Sequence, residues 1–379
     1  MKIVDPEALE RALALRDLTD PAQGPHAIQK VLDAAVLALS RSWGCATRIV
    51  RLHPVVTLAD NYDALHYPAD GVARDARYTR YVSPTQVLRT QTSALIPPTL
   101  RALAVAPPAE VLVVAPGLVW RRDVIDRLHV GEPHQVDLWR IRTRGPLLGV
   151  SDLAAMNASV AEAVVPGLAV RVTPAEHPYT LEGRQIDARA AGQWVEIGEC
   201  GLALPALLAE AGLPEGSSGL AMGLGLDRLV MIRKGLDDIR LLRAGDPRIS
   251  AQMLDLAPWR PVSNRPPVRR DLSIAVPVET VAEELGDRVR EALGARAGDV
   301  EAVEVLSETH GEALPAVARE RLGMLDGQKN VLLRVVLRAH DRNLTDAEAN
   351  ELRDAIHAAL HRGTAWAWAS EHASRARVG

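Results

Sequence analysis

The fifteen residues at 257–271, APWRPVSNRPPVRRD, constrain this chain more than any other segment. Proline has a fixed φ and no amide hydrogen, so four prolines in so short a run cannot lie inside a helix or a fully paired strand. The segment reads as a linker, set at 257–268, with one domain over 26–256, a second over 269–379 and a helical extension over 1–25. A chain of 379 residues exceeds what one hydrophobic core usually organises, which agrees with this division.

Before the linker, HAIQKVLDAAVLALSRSWG has the apolar spacing of an amphipathic helix. Short β-like runs follow, among them TRIVRLHPVV, AEVLVVAPGLVWRRD and HQVDLWRIRT, with the helical DLAAMNASVAEAVV between later ones. The first domain therefore reads as α+β, a mainly antiparallel sheet with flanking helices. After the linker the order is strand (RDLSIAVPV), helix (TVAEELGDRVREALG), strand, strand (DVEAVEVLSE, KNVLLRVVLRAH) and helix, a ferredoxin-like split βαβ pattern. Thr345 and Glu348 have capping-box spacing at the start of that last helix.

Composition excludes several classes. With 47% hydrophobic and 24% charged residues the chain is not disordered, and no apolar run is long enough to span a bilayer. The N-terminus is too charged for a signal peptide, so a cytoplasmic protein without membrane contact is expected. A net charge of −4 gives no global nucleic-acid signature, and any such contact must come from a local patch. Cys45 and Cys200 have no metal-ligand spacing and suggest neither a disulfide framework nor zinc.

Four segments carry chemistry. AMGLGLDRLVMIRKGLDDIRLL at 221–242 holds Gly223 and Gly225, then Arg228 at a helix start; GLVWRRDVIDRLHVGEPHQVDLW at 117–139 puts Arg, Asp, His and Gln in one hairpin-like stretch. YVSPTQVLRTQTSALIP at 81–97 and RVTPAEHPYTLEGRQID with QWVEIGECG complete the set. Gly-x-Gly alone fits any strand-to-helix turn. Taken together and in this order, the segments resemble the motifs of the phenylalanyl-tRNA synthetase family of class II, over residues from about 30 to 370.

The resemblance implies an ATP-dependent aminoacyl-tRNA ligase. Arg121 and Arg228 would be its catalytic cations on the ATP phosphates, with Asp123 and His129 nearby and Glu196 holding Mg²⁺. Thr90, Gln91, Ser93, Gln135, Asp137, His177, Tyr179, Ala221 and Gly223 would line the amino-acid site. Gln91 stands where the family has histidine, and His177 and Tyr179 stand where two phenylalanines grip the substrate ring. The pocket therefore takes phenylalanine through other ring contacts, or a more polar aromatic amino acid. DNYDALHYP at 60–68 resembles a further family segment, though its residues alone fit a simple turn.

The C-terminal part resembles the ferredoxin-fold anticodon-binding domain, which implies tRNA as partner and Arg269, Arg270, Arg338 and Arg342, with His340, as a basic face. Trp366 and Trp368 are candidates for stacking on the anticodon. The single-chain order resembles the organellar enzymes, which implies a monomer or homodimer. Two other functions stay open: a synthetase paralogue that loads a carrier protein or small molecule, and a non-catalytic RNA-binding regulator. The chain contains no phenylalanine, and a back-up enzyme made when charged phenylalanine tRNA is scarce is one account of that absence.

Overall fold

The structure, a computed structural model, describes residues 3–262 and 265–365. Trp366 and Trp368 lie outside the described residues. The chain divides into two compact units, one of residues 3–121 and 132–260, the other of 122–131 and 261–365.

The first unit is built on a seven-stranded sheet. In chain order its strands are β1 (Ala46–Ile49), β2 (Glu110–Leu118), β3 (His134–Arg142), β4 (Val170–Pro174), β5 (Thr180–Ala190), β6 (Gln193–Ala203) and β7 (Ser218–Gly225). Their spatial order is β1-β2-β3-β7-β6-β5-β4, and every pair except β1 with β2 is antiparallel. Strand side chains alternate between faces, so the sheet has two unlike surfaces. Val136, Leu138, Met222 and Leu224 are buried on one of them. Three helices pack there, α2 (Ala27–Trp43), α3 (Val150–Val164) and α4 (Leu226–Lys234). On the other face Val113, Trp139, Ile141 and Ala203 form a core with Leu95, Ile96 and Leu100 from the stretch that enters the helix Ile96–Val105.

Residues before 26 form the short helix α1 (Pro6–Leu13), whose first turn is capped by the Asp5 carboxylate on the Ala8 amide at 2.8 Å. His26 fixes the start of α2. Its Nδ1 accepts from the Ile28 amide at 3.1 Å while Nε2 lies 3.0 Å from the Leu242 carbonyl, so the ring is a cap and a tether at once. Burial pushes its pKa down to about 4. A histidine lowered in the folded state stabilises fully above its unfolded value near 6.5 and loses that contribution as the pH falls from there to 4. Up to about 3 kcal/mol is at stake. His26→Asn, which keeps a cap acceptor without an ionisable ring, is expected to flatten the fall in melting temperature between pH 6.5 and 4, relative to the unaltered chain.

The second unit carries β8 (Val268–Pro277), α5 (Ala282–Leu293), β9 (Val300–His310), β10 (Gln328–Leu337) and α6 (Asp346–Leu360), with a short helix Ala316–Leu322 between β9 and β10 that the sequence pattern did not suggest. The sheet order is β8-β10-β9, all antiparallel. Leu272, Ile274, Val331, Leu333 and Val335 meet Leu285, Val289, Leu352 and Ile356 of the two helices in one core. At the start of α6 the Thr345 hydroxyl accepts from the Glu348 amide at 3.2 Å, and the Glu348 carboxylate accepts from the Thr345 amide at 2.8 Å. The capping box expected there is present.

Residues 122–131, which lie within the first domain's stretch of sequence, pack with the second unit. Ile125 is buried in the core of the second unit, and its carbonyl accepts from the Val303 amide of β9 at 2.9 Å. Arg290 of α5 donates to the carbonyls of Asp123 and Val124, each at 2.6 Å, and Arg122 pairs with Asp287 at 3.4 Å. Gly286 makes this approach possible, because a Cβ there would sit 2.6 Å from the Asp123 carbonyl oxygen.

Candidate active site

Strand register assembles the site. Across β2, β3 and β7, Gly117, Gln135 and Gly225 face each other in one row, Ala115, Asp137 and Gly223 in the next, and Val113, Trp139 and Ala221 in the third. β6 extends the last two rows with Glu199 beside Gly223 and Gly201 beside Ala221. All of these share one face, since alternate residues of a strand point the same way. β7 brings only glycine and alanine to that face. A Cβ built on Gly223 or Gly225 would meet nothing within 4 Å, so the middle of the sheet is an open trough walled by larger residues of β3 and β6. Neighbouring strands lie about 4.8 Å apart, which sets Asp137 and Glu199 on walls separated by roughly 10 Å, wide enough for an aromatic ring.

A bulge brings Glu196 to the same face. Glu199 pairs with Gln185 and Gly198 with Ile186, but Glu196 pairs with Asp187, so Ile197 is one residue too many. Glu196 and Glu199, three apart, would otherwise point to opposite sides. Burial raises the Glu196 carboxyl above its usual value; Arg228 opposes this, Glu199 and Asp187 add to it, and Arg121 opposes it again. Both arginines therefore bear on one carboxylate from distant stretches of chain. Arg228 lies 4.0 Å from the Glu196 carboxylate and donates to its carbonyl at 3.4 Å. Arg121 is oriented by Nε, which donates to the Thr90 carbonyl at 2.7 Å and leaves the far end of the guanidinium directed onward.

The segment at 90–93 forms one wall. Thr92 and Ser93 hydroxyls donate to the Asp137 carboxylate at 2.7 and 3.1 Å, and the Trp139 indole donates at 3.0 Å. Burial raises the Asp137 carboxyl, and these three donors work against it. A carboxylate accepts about four hydrogen bonds, so one position is left for an ammonium group. Asn61, fully buried, organises the segment: its amide donates to Thr90 Oγ1 at 2.9 Å, its carbonyl Oδ1 accepts from the Thr90 amide at 3.2 Å, and its main-chain carbonyl accepts from the Gln91 side chain at 3.1 Å.

The aromatic residues close the far end. Tyr179 lies 6.1 Å from Trp139 with rings inclined by 22°, 6.2 Å from Tyr67 and 6.1 Å from His177. Tyr67 donates to Gln91 Oε1 at 2.8 Å, and burial pushes its phenol up to about 12. His177 sits 2.9 Å from Glu199. The loop bearing His177 and Tyr179 folds tightly over two glycines: a Cβ on Gly183 would lie 2.3 Å from the Ala175 carbonyl, and one on Gly201 would lie 2.6 Å from the Thr180 Cβ.

Thr90, Gln91, Ser93, Gln135, Asp137, His177, Tyr179, Ala221, Gly223, Glu196, Arg121 and Arg228 thus all belong to the trough or its rim. Asp123 and His129 lie in the 122–131 segment of the second unit, where the Asp123 carbonyl is taken by Arg290 and the His129 ring lies 2.8 Å from Asp126. The buried Ile125 anchors that segment in another core. Glu199 and Trp139 were not named as site residues from sequence, and Asn61 and Tyr67 entered only within the segment DNYDALHYP. Nothing in strict strand alternation would pair Glu199 with Glu196, and Asn61 sits in what reads as a turn.

The expected basic face on the second unit is also divided. Arg269 and Arg270 are consecutive on β8 and must point to opposite sides. Arg269 is exposed, whereas Arg270 reaches Asp346 and Asn350 of α6 at 2.8 and 2.9 Å. Arg338 pairs with Glu301 at 2.7 Å, and Arg342 lies 2.9 Å from Glu348. The main-chain carbonyl of His340 accepts from Arg265 at 3.1 Å.

Among the described residues no three His, Cys, Asp or Glu side chains are grouped to hold a metal ion, so Glu196 fits a Mg²⁺ that takes its other ligands from phosphates and water. No helix among them is long and apolar enough to cross a membrane.

If the trough is the substrate site, Gly223→Ala should separate folding from binding. Its Cβ meets no protein atom, and leaving glycine in a strand interior favours the folded state by about 0.5–1 kcal/mol. The variant is expected to melt at or slightly above the unaltered temperature while the amino-acid KM rises at least about tenfold, the methyl group occupying the floor on which a ring must lie. An unchanged KM would place the substrate elsewhere.

A six-stranded antiparallel array with one parallel edge strand, carrying two arginines around a strand carboxylate above a floor of small residues, is the arrangement of a class II tRNA synthetase core. A family model described as "tRNA synthetases class II core domain (F)" matches residues 26–253, and one described as "Ferredoxin-fold anticodon binding domain" matches residues 263–366. The chain belongs to the first of these families and carries the second as its C-terminal domain. "Phenylalanine--tRNA ligase alpha subunit" of Prochlorococcus marinus (strain MIT 9313) is 36% identical over 242 residues, 62% of this chain and 69% of that protein. The protein of the same description from strain NATL2A is 38% identical over 193 residues, 51% of this chain and 56% of that one; that of Nostoc punctiforme is 34% identical over the same shares. The chain therefore spans little more than half the length of several curated relatives it matches. A pyrrolysyl tRNA synthetase from Desulfitobacterium hafniense aligns with a TM-score of 0.44 at 14% identity over 62% of this chain and 77% of that one.

Proposed function

We propose that this protein uses ATP to activate an aromatic amino acid, phenylalanine or a relative, as its aminoacyl-adenylate and transfers it to tRNA. The observation that carries this reading is the action of Arg121 and Arg228 on one strand carboxylate, Glu196, at the rim of a trough floored by Ala221, Gly223 and Gly225. The amino-acid carboxylate attacks the α-phosphorus in line and pyrophosphate leaves, so negative charge grows at the phosphates. Two fixed planar cations held in a partly dry site stabilise that charge without reorganising. Gln135 and the open acceptor position of Asp137 hold the ammonium group and aim the carboxylate, while the ring rests on the glycine floor. Mg²⁺ would neutralise the phosphates beside Glu196. In the second step a terminal ribose hydroxyl of tRNA attacks the adenylate carbonyl and AMP leaves.

The C-terminal domain supplies the tRNA contact in this reading, with Arg269 exposed for it and Arg270 and Arg342 able to exchange the carboxylates of Asp346 and Glu348 for phosphates, since such exposed pairs are worth at most about 1 kcal/mol, while Arg338 is held by the buried Glu301. The enzyme is proposed to act in the cytoplasm as a monomer or homodimer, without a membrane partner. The test is ATP–pyrophosphate exchange across a panel of aromatic amino acids, followed by transfer of radiolabelled amino acid to total tRNA. Exchange and transfer are both expected; exchange without transfer would point to another acceptor, and no exchange with any of them would end the reading.

A further inference from the structure

The ring end of the trough carries more polar chemistry than an unsubstituted aromatic ring can use. The His177 side chain is only 9% exposed. Its Nδ1 lies 3.2 Å from Thr180 Oγ1, while Nε2 lies 2.9 Å from Glu199 Oε2 but outside hydrogen-bonding geometry, so that nitrogen is buried with its hydrogen-bonding capacity unused. Glu199 is 43% exposed and stands across the open floor at Gly223. Tyr67 cannot serve the pair, because its hydroxyl is bonded to Gln91. Nor can the histidine swing away freely, since Gly183 and Gly201 hold its loop in close contact with neighbouring strands.

An apolar ring entering this space would strip water from Glu199 and return nothing, a cost that falls on the complex, and would leave His177 Nε2 as unpaired as it is in the free protein. A phenolic hydroxyl has one donor and two acceptor positions, which matches a carboxylate on one side and an imidazole N–H on the other. We propose that the amino acid this trough is built for is a ring-hydroxylated aromatic one, its hydroxyl donating to Glu199 and accepting from His177. The proposal rests on the adenylate-forming reading of the same site. Sites that hydrogen-bond a substrate group discriminate strongly against analogues lacking it, because their own polar groups are then left unpaired.

The experiment is ATP–pyrophosphate exchange by the full chain with L-phenylalanine, L-tyrosine, L-meta-tyrosine and L-3,4-dihydroxyphenylalanine. At least one hydroxylated amino acid is expected to exceed phenylalanine in kcat/KM by at least about tenfold. Glu199→Ala and His177→Phe, checked for folding by thermal melting, are each expected to lower the ratio of hydroxylated to plain substrate by a similar factor. Phenylalanine equal to or better than every hydroxylated amino acid in the unaltered chain overturns the proposal, whatever the variants do. So does a ratio that both folded variants leave unchanged. Exchange with none of the four is a different failure, since it removes the adenylate-forming reading itself.

Discussion

Arg228→Ala is expected to lower kcat/KM for ATP–pyrophosphate exchange by at least a factor of about 10²–10³, the range seen when one preorganised group aimed at developing charge is removed. The melting temperature should hardly move. Arg228 is 30% exposed and its contact with Glu196 is 4.0 Å long, the kind of surface pair that contributes little to stability. Arg228→Lys should restore only a small part of the rate, because an ammonium cannot reproduce a planar fork. Arg121→Ala should cause a similar loss of exchange with a measurable loss of stability, on the order of 1 kcal/mol, since its Nε also holds the Thr90 carbonyl. A variant lacking either arginine with near-normal exchange would show that the phosphates lie somewhere else.

The largest stability effect is expected at Asp227, next to Arg228 in sequence and opposite to it in role. Asp227 is 5% exposed and accepts from the His134 amide and from His134 Nδ1, the latter at 3.0 Å. His134 Nε2 accepts from the Leu18 amide at 3.1 Å and faces Arg243 at 2.9 Å, so the ring's one proton belongs on the Asp227 side. Burial alone would raise the Asp227 carboxyl, but His134 and, more weakly, Arg243 outweigh it and hold it below its usual value. Asp227→Ala leaves the His134 donors and part of the Arg243 charge unpaired in the interior, which typically costs about 3–5 kcal/mol. For a unit of this size the melting temperature should fall by roughly 10 °C. Exchange activity should fall with it even where the variant stays folded, because His134 anchors the start of the strand that presents Gln135 and Asp137. With the carboxyl lowered in the folded state, the stabilising contribution is present above about pH 4 and lost as the pH drops through the folded value.

Much of the molecule was legible from residue order. The linker prolines, the strand–helix–strand–strand–helix series after them and the Thr345–Glu348 cap are local signals, and local signals survive in one dimension. The same is true of Gly223, Gly225 and Arg228, whose spacing places small residues on a strand and a cation on the following helix. The packing of residues 122–131 was not legible in the same way, because what decides it is Ile125 and the complementary Arg290 and Val303, far away in the chain. Glu199 escaped because alternation puts it on the wrong side relative to Glu196 until Ile197 is recognised as surplus. Asn61 lay in a segment noted for its resemblance, but its role did not show, because its three hydrogen bonds go to residues 29 and 30 positions away.

That surplus residue has a consequence for how the fold tolerates exchange of parts. The distance between the Glu196 end of the trough and its Glu199 end is measured along β6, and one odd position in that strand decides whether both ends open on the same side. Transplanting β6 alone from a relative with regular pairing would turn one carboxylate into the helical layer, so β5 and β6 are interchangeable only as a pair with their bulge intact.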